Sequence, residues 1–249
     1  MSASMPTLNL IGAGHVGRVL GKLLAQQGGW QLQDVLTRSQ ASAQQAVEFM
    51  GAGRAVDSHA QLRPADVWLL AVSDDQIVPA SAALAQALPI KDTVVFHCSG
   101  ALASGRMEAA RAAGALLASV HPIRSFADTA AVAAQFSGTF CGIEGDAAAL
   151  ALLTPALQAI GAQPVPIDAA AKTVYHAAAV FASNYLVTVL DAALRAYQAA
   201  GIPEPIARGD MATVARQQQA VAQWDAPTGE LYQSLVAPTV DLARRKAGR

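Results

Sequence analysis

The sequence predicts an α/β domain with a mainly parallel sheet, followed by a small all-helical domain. In the first two-thirds of the 249 residues, short apolar runs alternate with helical stretches, a pattern typical of parallel β-α-β units. From Ala169 to about residue 200 the chain lacks Gly and Pro and keeps a helical apolar periodicity, which predicts one long helix. We therefore place the boundary near Ile167 and Asp168, between domains of residues 1–168 and 169–249.

Seven strands and five helices are predicted in the first domain. The strands are Leu8–Gly12, Gln31–Thr37, Val67–Val72, Thr93–His97, Leu116–Val120, Thr139–Ile143 and Pro164–Ile167. The helices are Val16–Gln27, Ala41–Met50, Gln76–Ala87, Met107–Ala113 and Ala147–Ile160. In the second domain, Gly201 and Pro203 are expected to end the long helix, and two short helices with a break at 225–229 complete the chain.

Composition narrows the functional classes. Hydrophobic residues make up 53% of the chain and charged residues 14%, which is enough apolar material for a buried core. The formal net charge of −1 offers no electrostatic footprint for nucleic acid or an anionic membrane. Cys98 and Cys141 do not form a CxxC pair, so no metal site is expected. Without a signal-peptide pattern or 18 uninterrupted apolar residues, the sequence predicts a soluble cytoplasmic protein.

A glycine-rich turn follows the first predicted strand and precedes the first predicted helix. It reads Gly12-Ala13-Gly14-His15-Val16-Gly17. In this context Gly12 permits a tight turn, Gly14 lets the backbone approach a diphosphate, and Gly17 allows the helix to pack closely on the strand. The diphosphate would face free N–H groups at the positive end of the helix. The turn therefore predicts a dinucleotide-binding Rossmann domain, with His15 and Val16 also counted among the cofactor-binding residues.

The end of the second predicted strand indicates which dinucleotide is bound. Domains specific for NAD carry Asp or Glu about 20 residues after the glycines, whereas this chain has Thr37, Arg38 and Ser39. A guanidinium flanked by two hydroxyls suits a 2′-phosphate, so NADP is favoured over NAD. A solvated surface arginine is the alternative interpretation of Arg38. Asp34 lies within the strand and is a poorer candidate for binding the ribose.

Further strand ends are expected to line the same cleft, because ligands of such sheets bind outside the carboxyl ends of the strands. Val72 and Ser73 end the third predicted strand, and Ser99 follows the fourth. We expect these three residues to line the nicotinamide half of the cofactor. Ser73 or Asp74 could also cap the following helix.

Two groups of polar residues are candidates for catalysis. His121 and Arg124, in the loop after the fifth strand, could supply a proton donor and an anchor for a substrate anion. Lys172 and His176 lie four residues apart on one face of the long helix, and Asn184 extends that face. Such groups are costly to bury on an apolar helix without partners or a function. The alternatives are buried histidines hydrogen-bonded to the backbone, a surface arginine, and a lysine whose stem lies along the start of the helix while its ammonium reaches water.

The chain resembles the 6-phosphogluconate-dehydrogenase-like superfamily, which includes β-hydroxyacid dehydrogenases, ketopantoate reductase and pyrroline-5-carboxylate reductase. More narrowly, it is similar to NADP oxidoreductases that join a Rossmann-like domain to a C-terminal domain of unknown function. The matching stretches are His97–Leu102, His121–Phe126, Tyr175–Asn184 and Arg208-Gly209-Asp210. Several superfamily members carry a Lys-x-x-x-Asn pair with a catalytic Lys, and Lys172 with His176 resembles this pair with His in place of Asn.

The resemblance and the residues together predict an NADPH-dependent reductase of a small C=O or C=N substrate that carries a carboxylate. Lys172 and His176 would be proton donors or orienting groups, and Arg124 or Arg208 would bind the carboxylate. A homodimer is expected, because the helical domain offers more apolar surface than one subunit can cover. The alternative is a non-catalytic NADP-binding regulatory or scaffold protein, since a helical stretch that family members carry before Arg208 is missing here.

Overall fold

The computed structural model of the chain describes residues 5–200 and 211–247. Contacts between residues divide it into two compact units, Met1–Ala179 and Val180–Arg249. This division falls inside the long helical run, whereas the sequence pattern changes earlier, near Asp168. The first turns of that run therefore belong to the α/β unit.

The α/β unit is built on a single eight-stranded sheet with the order β3-β2-β1-β4-β5-β6-β7-β8. The strands are β1 (Thr7–Ile11), β2 (Gln31–Leu36), β3 (Arg54–Val56), β4 (Val67–Leu70), β5 (Val94–His97), β6 (Leu116–Pro122), β7 (Phe140–Gly145) and β8 (Gln163–Pro166). All seven predicted strands are confirmed, with ends that differ by one or two residues. The three-residue strand β3 was not predicted.

Six helices flank the sheet on its two faces. They are α1 (His15–Gln26), α2 (Gln40–Met50), α3 (Asp74–Ala87), α4 (Glu108–Ala112), α5 (Thr129–Ala134) and α6 (Ala147–Ala159). Buried residues of α1, α2, α5 and α6 form one apolar core, and those of α3 and α4 form a second. Successive residues of β4 alternate between the two cores, with Leu69 in the first and Trp68 in the second, because strand side chains alternate between faces.

Strand β7 departs from the parallel pattern that the alternation of elements predicts. All other neighbouring strands pair in parallel, whereas β7 runs antiparallel to β6, with His121 opposite Gly142 and Ser119 opposite Glu144. The connection through α5 returns the chain to the end of the sheet at which β6 finished, and an antiparallel pair needs no crossover to the other end. The start of β7 therefore lies beside the carboxyl ends of the parallel strands.

The predicted long helix is present, with a change of geometry near its middle. It comprises α7 (Lys172–Val180), a π-helical turn (Phe181–Tyr185) and α8 (Leu186–Ala199). The helical run Ala169–Tyr197 is apolar and long enough to cross a membrane, with a mean hydropathy of 1.5, a test that core helices of soluble proteins also pass. Its length and composition alone are therefore weak evidence for a membrane span.

Two further helices are described in the second unit, α9 (Met211–Trp224) and α10 (Ala226–Ala247). The predicted break near residue 225 is confirmed, but α10 has 22 residues and is not short. The Asp225 carboxylate accepts a hydrogen bond from the Thr228 backbone N–H at 3.0 Å, which is the way an N-terminal capping residue begins a helix.

Candidate active site

A cavity of about 890 Å³ lies at the carboxyl ends of β1, β2 and β4, within the size range of small-molecule and cofactor sites. Six residues predicted to bind the cofactor line it: Gly12, Gly14, Thr37, Arg38, Val72 and Ser73. The lining also includes residues that the sequence had not indicated, among them Arg18, Ser42, Asp57, His59 and Gln76. The cavity is thus at the sheet edge where the sequence predicts the dinucleotide.

The three glycines of the turn differ in what their missing side chains permit. Gly12 has a φ of 84°, and a Cβ atom added there would lie 2.5 Å from the Ala71 carbonyl oxygen, so the tight turn requires glycine. A Cβ on Gly17 would lie 2.7 Å from the Ala71 Cβ, so this glycine allows helix α1 to pack against the sheet. A Cβ on Gly14 would meet nothing within 4 Å. The turn therefore leaves open space at Gly14, which fits a diphosphate approaching the backbone.

The residues after β2 form the far end of the cavity. Thr37, Arg38 and Ser42 line it, whereas Ser39 is the N-terminal cap of α2 and accepts a hydrogen bond from the Ser42 N–H at 3.2 Å. Two hydroxyls and a guanidinium therefore surround this end, although one hydroxyl comes from Ser42 and not from Ser39. Asp57, which follows β3, also lines the cavity.

Asp34 does not reach the cavity. Its carboxylate is fully buried and pairs with Arg54 at 2.9 Å and with Arg63 at 2.8 Å. Burial alone would raise the pKa of Asp34, but the hydrogen bonds from Arg63 and Arg54 outweigh it and hold the pKa below its ordinary value. Asp34 therefore anchors the chain around β3, which is consistent with its being the poorer candidate for a ribose ligand.

Two residues of the cavity wall, Arg18 and His59, were not indicated by the sequence. The Arg18 side chain donates a hydrogen bond to the Ala13 carbonyl at 2.8 Å and so supports the glycine turn from within α1. The Nε2 atom of His59 is buried and has no hydrogen-bond partner among the described residues. His59 follows the short strand β3. Because that strand was not predicted, His59 was not predicted to reach the cavity.

The hydroxyl and backbone N–H of Ser99 are already hydrogen-bonded within the protein. Its hydroxyl donates to the Asp74 carboxylate at 2.9 Å and accepts from the backbone N–H groups of Ala101 and Leu102. Its own N–H donates to Nδ1 of His97 at 3.1 Å. Ser99 therefore fastens the loop after β5 to the start of α3, next to the cavity-lining Ser73, and presents the following residue, Gly100.

Lys172 lies beneath this loop with only 1% of its surface exposed. Its ammonium donates to the Ser99 carbonyl at 2.9 Å and to the Ser119 hydroxyl, and lies 3.8 Å from the Glu144 carboxylate. Glu144 is buried too and accepts hydrogen bonds from the backbone and hydroxyl of Ser104. Burial lowers the pKa of Lys172, and the charge of Glu144 opposes that effect. Glu144, within an apolar strand, was not identified from the sequence.

Two histidines meet above the same loop. The rings of His121 and His176 are 5.5 Å apart between centroids and nearly perpendicular. A Cβ atom added to Gly100 would lie 2.8 Å from both Cε1 and Nε2 of His121 and would clash with Nδ1 of His176. Only glycine therefore lets both imidazoles approach the backbone at this point. Nδ1 of His121 is hydrogen-bonded to the Tyr175 hydroxyl at 2.9 Å.

Two of the histidines near this loop, His97 and His121, are held neutral. Burial, and to a smaller extent the neighbouring His176 and the charge of Lys172, lowers the pKa of His121 to about 4. Burial and the charge of Lys172 lower the pKa of His97 to about 4. At neutral pH each imidazole therefore carries one proton, and its role as donor or acceptor depends on which nitrogen holds that proton.

The remaining predicted site residues are not all in this cluster. The Arg124 side chain donates to the Gln135 carbonyl at 2.7 Å and to the Thr139 hydroxyl at 3.1 Å, so it braces the approach to β7. Asn184 belongs to the second unit and lies in the π-helical turn, where the Ser183 hydroxyl donates to its side-chain oxygen. Arg208 lies outside the described residues. His15 and Val16 begin α1 but are not part of the cavity lining.

Comparisons with known families agree with this architecture. Residues 3–122 match the model of a Rossmann-like domain, and residues 139–205 match the model of a domain of unknown function, DUF2520. No protein of curated function gave a match to the sequence. The two family matches together extend over most of the chain and confirm the resemblance drawn from the sequence motifs.

Solved structures show the same fold. Protein TM1727 from Thermotoga maritima is 24% identical, with a TM-score of 0.72 over 96% of this chain and 99% of that one. A candidate NADP oxidoreductase from Bacteroides fragilis is 17% identical, with a TM-score of 0.71 over 93% and 96%. A variant imine reductase from Myxococcus stipitatus, solved with NAD⁺, is 20% identical, with a TM-score of 0.59 over 97% and 77%.

Proposed function

We propose that this chain, which joins a Rossmann-like domain to a DUF2520 domain, is an NADPH-dependent reductase of a small C=O or C=N substrate. NADPH, when bound, supplies a hydride to the substrate carbon, and the protein supplies the proton for the oxygen or nitrogen. The names of the similar structures, which include an NADP oxidoreductase and an imine reductase, support an oxidoreductase.

One observation carries the proposal: a cavity that fits a dinucleotide ends next to a loop that presents two imidazoles. Val72 and Ser73 line the cavity at the end of β4. The next residue, Asp74, accepts a hydrogen bond from the Ser99 hydroxyl in the loop after β5. The loop after β5 then brings Gly100 under His121 and His176. A nicotinamide ring at this end of the cavity would lie near groups able to move protons.

We assign different roles to the polar residues of the site. His121 and His176 are the groups that face the substrate. Lys172 orients the loop, because its ammonium is buried and donates to the Ser99 carbonyl and the Ser119 hydroxyl. Arg124 and Arg208 remain the proposed anchors of a substrate carboxylate. For Arg124 this requires that its guanidinium keep donor groups free beyond its bonds to Gln135 and Thr139.

We further propose that NADP is the preferred dinucleotide. Arg38 supplies a permanent positive charge at the far end of the cavity, and Thr37 and Ser42 supply hydroxyls there. These groups match the charge and acceptor oxygens of a 2′-phosphate. The Asp34 carboxylate, which could have bound ribose hydroxyls, is instead paired with Arg54 and Arg63.

A cytoplasmic homodimer completes the proposal. Large apolar side chains are exposed along the helical run of the single chain, namely Val174, Phe181, Tyr185, Leu186, Val187 and Leu190. Such a row is expected to be covered by a second copy. Light scattering should give the mass of a dimer, and Val187→Glu should give a monomer. A monomeric wild-type protein, or one that floats with lipid vesicles, would contradict the dimer.

The test of the proposed activity is direct. Purified protein should bind NADPH, seen by its fluorescence, and should oxidise it with one class of substrate in a panel of keto acids, cyclic imines and the same compounds without a carboxylate. His121→Asn should bind NADPH as tightly as wild type and lose roughly 100-fold or more in kcat. Tight NADPH binding without turnover of any panel member would instead favour the non-catalytic regulatory protein.

A further inference from the structure

Tyr175 occupies a position next to His121 that neither the family matches nor the proposed function explains. It is the residue before His176 on α7, and its ring meets the His121 ring edge-on, with centroids 5.6 Å apart. Its hydroxyl lies 2.9 Å from Nδ1 of His121. The bond joins two partly buried side chains from elements 54 residues apart in sequence, α7 and β6.

The direction of this hydrogen bond follows from what surrounds the phenol. In the part of the chain that the structure describes, Nδ1 of His121 is the only hydrogen-bond partner of the Tyr175 hydroxyl among side chains. Gly142 lies against the same oxygen, and its backbone favours negative charge there. A Cβ at position 142 would collide with the hydroxyl, so glycine is needed for this approach. A donor thus faces the oxygen, and the O–H has Nδ1 as its acceptor.

The protonation states agree with this direction. Burial raises the pKa of Tyr175 above its ordinary value, so the phenol keeps its proton at neutral pH. Burial lowers the pKa of His121 to about 4, so the imidazole is neutral and holds one proton. When Nδ1 accepts the bond from the phenol, that one proton must be on Nε2.

We propose that Tyr175 is a positioning residue that fixes His121 in the Nε2–H tautomer and replenishes its proton through Nδ1. Nε2 lies beside Gly100, on the side of the ring away from Tyr175, and has no hydrogen-bond partner among the described residues. It is therefore the ring nitrogen left to donate to a substrate. This inference rests on the proposed reductase for the identity of the acceptor, which is a carbonyl oxygen or an imine nitrogen.

The proton transfer balances without another reactant. The substrate heteroatom gains the proton that leaves Nε2, and Nδ1 takes the phenol proton, so the imidazole ends neutral. After the product leaves, water supplies a proton to Nε2, and Nδ1 returns its proton to the Tyr175 oxygen, beside Gly142. The hydride, with both electrons, comes from the nicotinamide of the proposed function. The substrate thus gains one hydride and one proton, and the protein returns to its starting state.

The tautomer can be measured without any turnover, by nitrogen NMR of the full chain labelled with ¹⁵N-histidine, at pH 7. His121→Asn identifies the His121 signals among the five histidines. In the wild-type protein we expect Nε2 in the protonated range and Nδ1 in the unprotonated range. Tyr175→Phe should move both signals towards the average of two tautomers, whereas Tyr232→Phe, which removes a hydroxyl bonded to Gln217, should leave them unchanged.

The outcomes separate this inference from the proposed function. A wild-type His121 with its proton on Nδ1 would overturn the inference even if Tyr175→Phe failed to fold, and so would a folded Tyr175→Phe protein with unchanged signals. If a substrate is found, Tyr175→Phe should lower kcat by about tenfold or more while the Kd for NADPH stays the same. If no substrate is found but the tautomer and its shift are as expected, the reductase fails and the hydrogen-bond assignment stands.

Discussion

The Lys172 ammonium and the Glu144 carboxylate form a close ion pair, 3.8 Å apart, in which both side chains are at least 94% buried. The pair joins the first turn of α7 to strand β7, and each partner also holds a loop: Lys172 through the Ser99 carbonyl and Glu144 through Ser104. Because the interior offers these charges no water, each depends on the other. The start of the long helix is thus fixed electrostatically to the sheet.

Removing one member of this pair should destabilise the protein strongly. Lys172→Met leaves a buried carboxylate without a counter-charge, and we expect the free energy of unfolding to fall by roughly 3 kcal/mol. The double variant Lys172→Met/Glu144→Gln should recover part of that loss, because no uncompensated charge remains. Urea unfolding followed by tryptophan fluorescence measures both. Equal stability of the single variant and wild type would show that the pair is not coupled.

A side chain at position 100 should displace the two histidines at a moderate cost in stability. In Gly100→Ala the new methyl group would displace His121 and His176 from the loop, so we expect kcat to fall while the Kd for NADPH stays the same. The cost in stability should be about 1–3 kcal/mol. Gly105→Ala is the matched control, since a Cβ there meets nothing within 4 Å. An active Gly100→Ala protein would argue against the histidine pair as the site of proton transfer.

Arg38 should decide between the two dinucleotides. Arg38→Gln removes the charge that we assign to the 2′-phosphate, so the Kd for NADPH should rise roughly 10- to 100-fold. The Kd for NADH should change little, because that cofactor has no 2′-phosphate. Fluorescence titration with both cofactors tests this, with Arg111→Gln as a control whose side chain pairs with Asp146 instead. A parallel loss for NADPH and NADH would refute the assignment.

Stability should fall as the pH drops from about 6.5 to 4. The folded-state pKa of His97 is about 4, below the 6.5 of an unperturbed histidine, so the unfolded chain takes up the proton first in this interval. The 2.5-unit difference makes the loss roughly 3 kcal/mol for the fully buried His97, with a smaller addition from the half-buried His121. Below pH 4 the histidine contribution is constant. Carboxylates with lowered pKa, such as Asp34, lose their stabilising effect only below about 3.8.

Unfolding free energies measured at several pH values between 7 and 4 will show whether histidines cause this slope. His97→Asn, which can still accept a hydrogen bond from the Ser99 N–H, should flatten it. His15→Gln should not, because His15 is exposed at the start of α1. An unchanged slope in His97→Asn would mean that His97 titrates normally in the folded chain.

The α/β architecture was predictable because its strands and helices carry the signals of their own periods. Each apolar run of the first domain became a strand, and even Pro79 and Pro155 did not prevent the predicted helices α3 and α6. Strand β3 could not be predicted, since three residues are too few to show an alternation. The antiparallel direction of β7 could not be predicted either, because the direction of a strand depends on the path of the preceding connection and not on the strand's own sequence.

The candidate site was predictable where one local motif is enough and not where distant residues meet. The glycine turn and Arg38 were identified because their chemistry is written in a few consecutive residues. Glu144 lies within an apolar strand, and Tyr175 appeared as one aromatic residue on an apolar helix. Their significance depends on Lys172 and His121, which are 28 and 54 residues away, respectively. A single sequence contains no record of such pairings.

The π-helical turn at Phe181–Tyr185 also predicts a difference in length between this chain and some of its relatives. A π turn holds one residue more than the α-helical turn it replaces, which is the geometry that a single-residue insertion into an α-helix would produce. Such an insertion rotates every later side chain by about 100° around the helix axis without interrupting the helix. It would also place Ser183 and Asn184 in a turn whose backbone hydrogen bonds are π-helical and not α-helical. Relatives one residue shorter between Lys172 and Leu186 should carry an unbroken α-helix there.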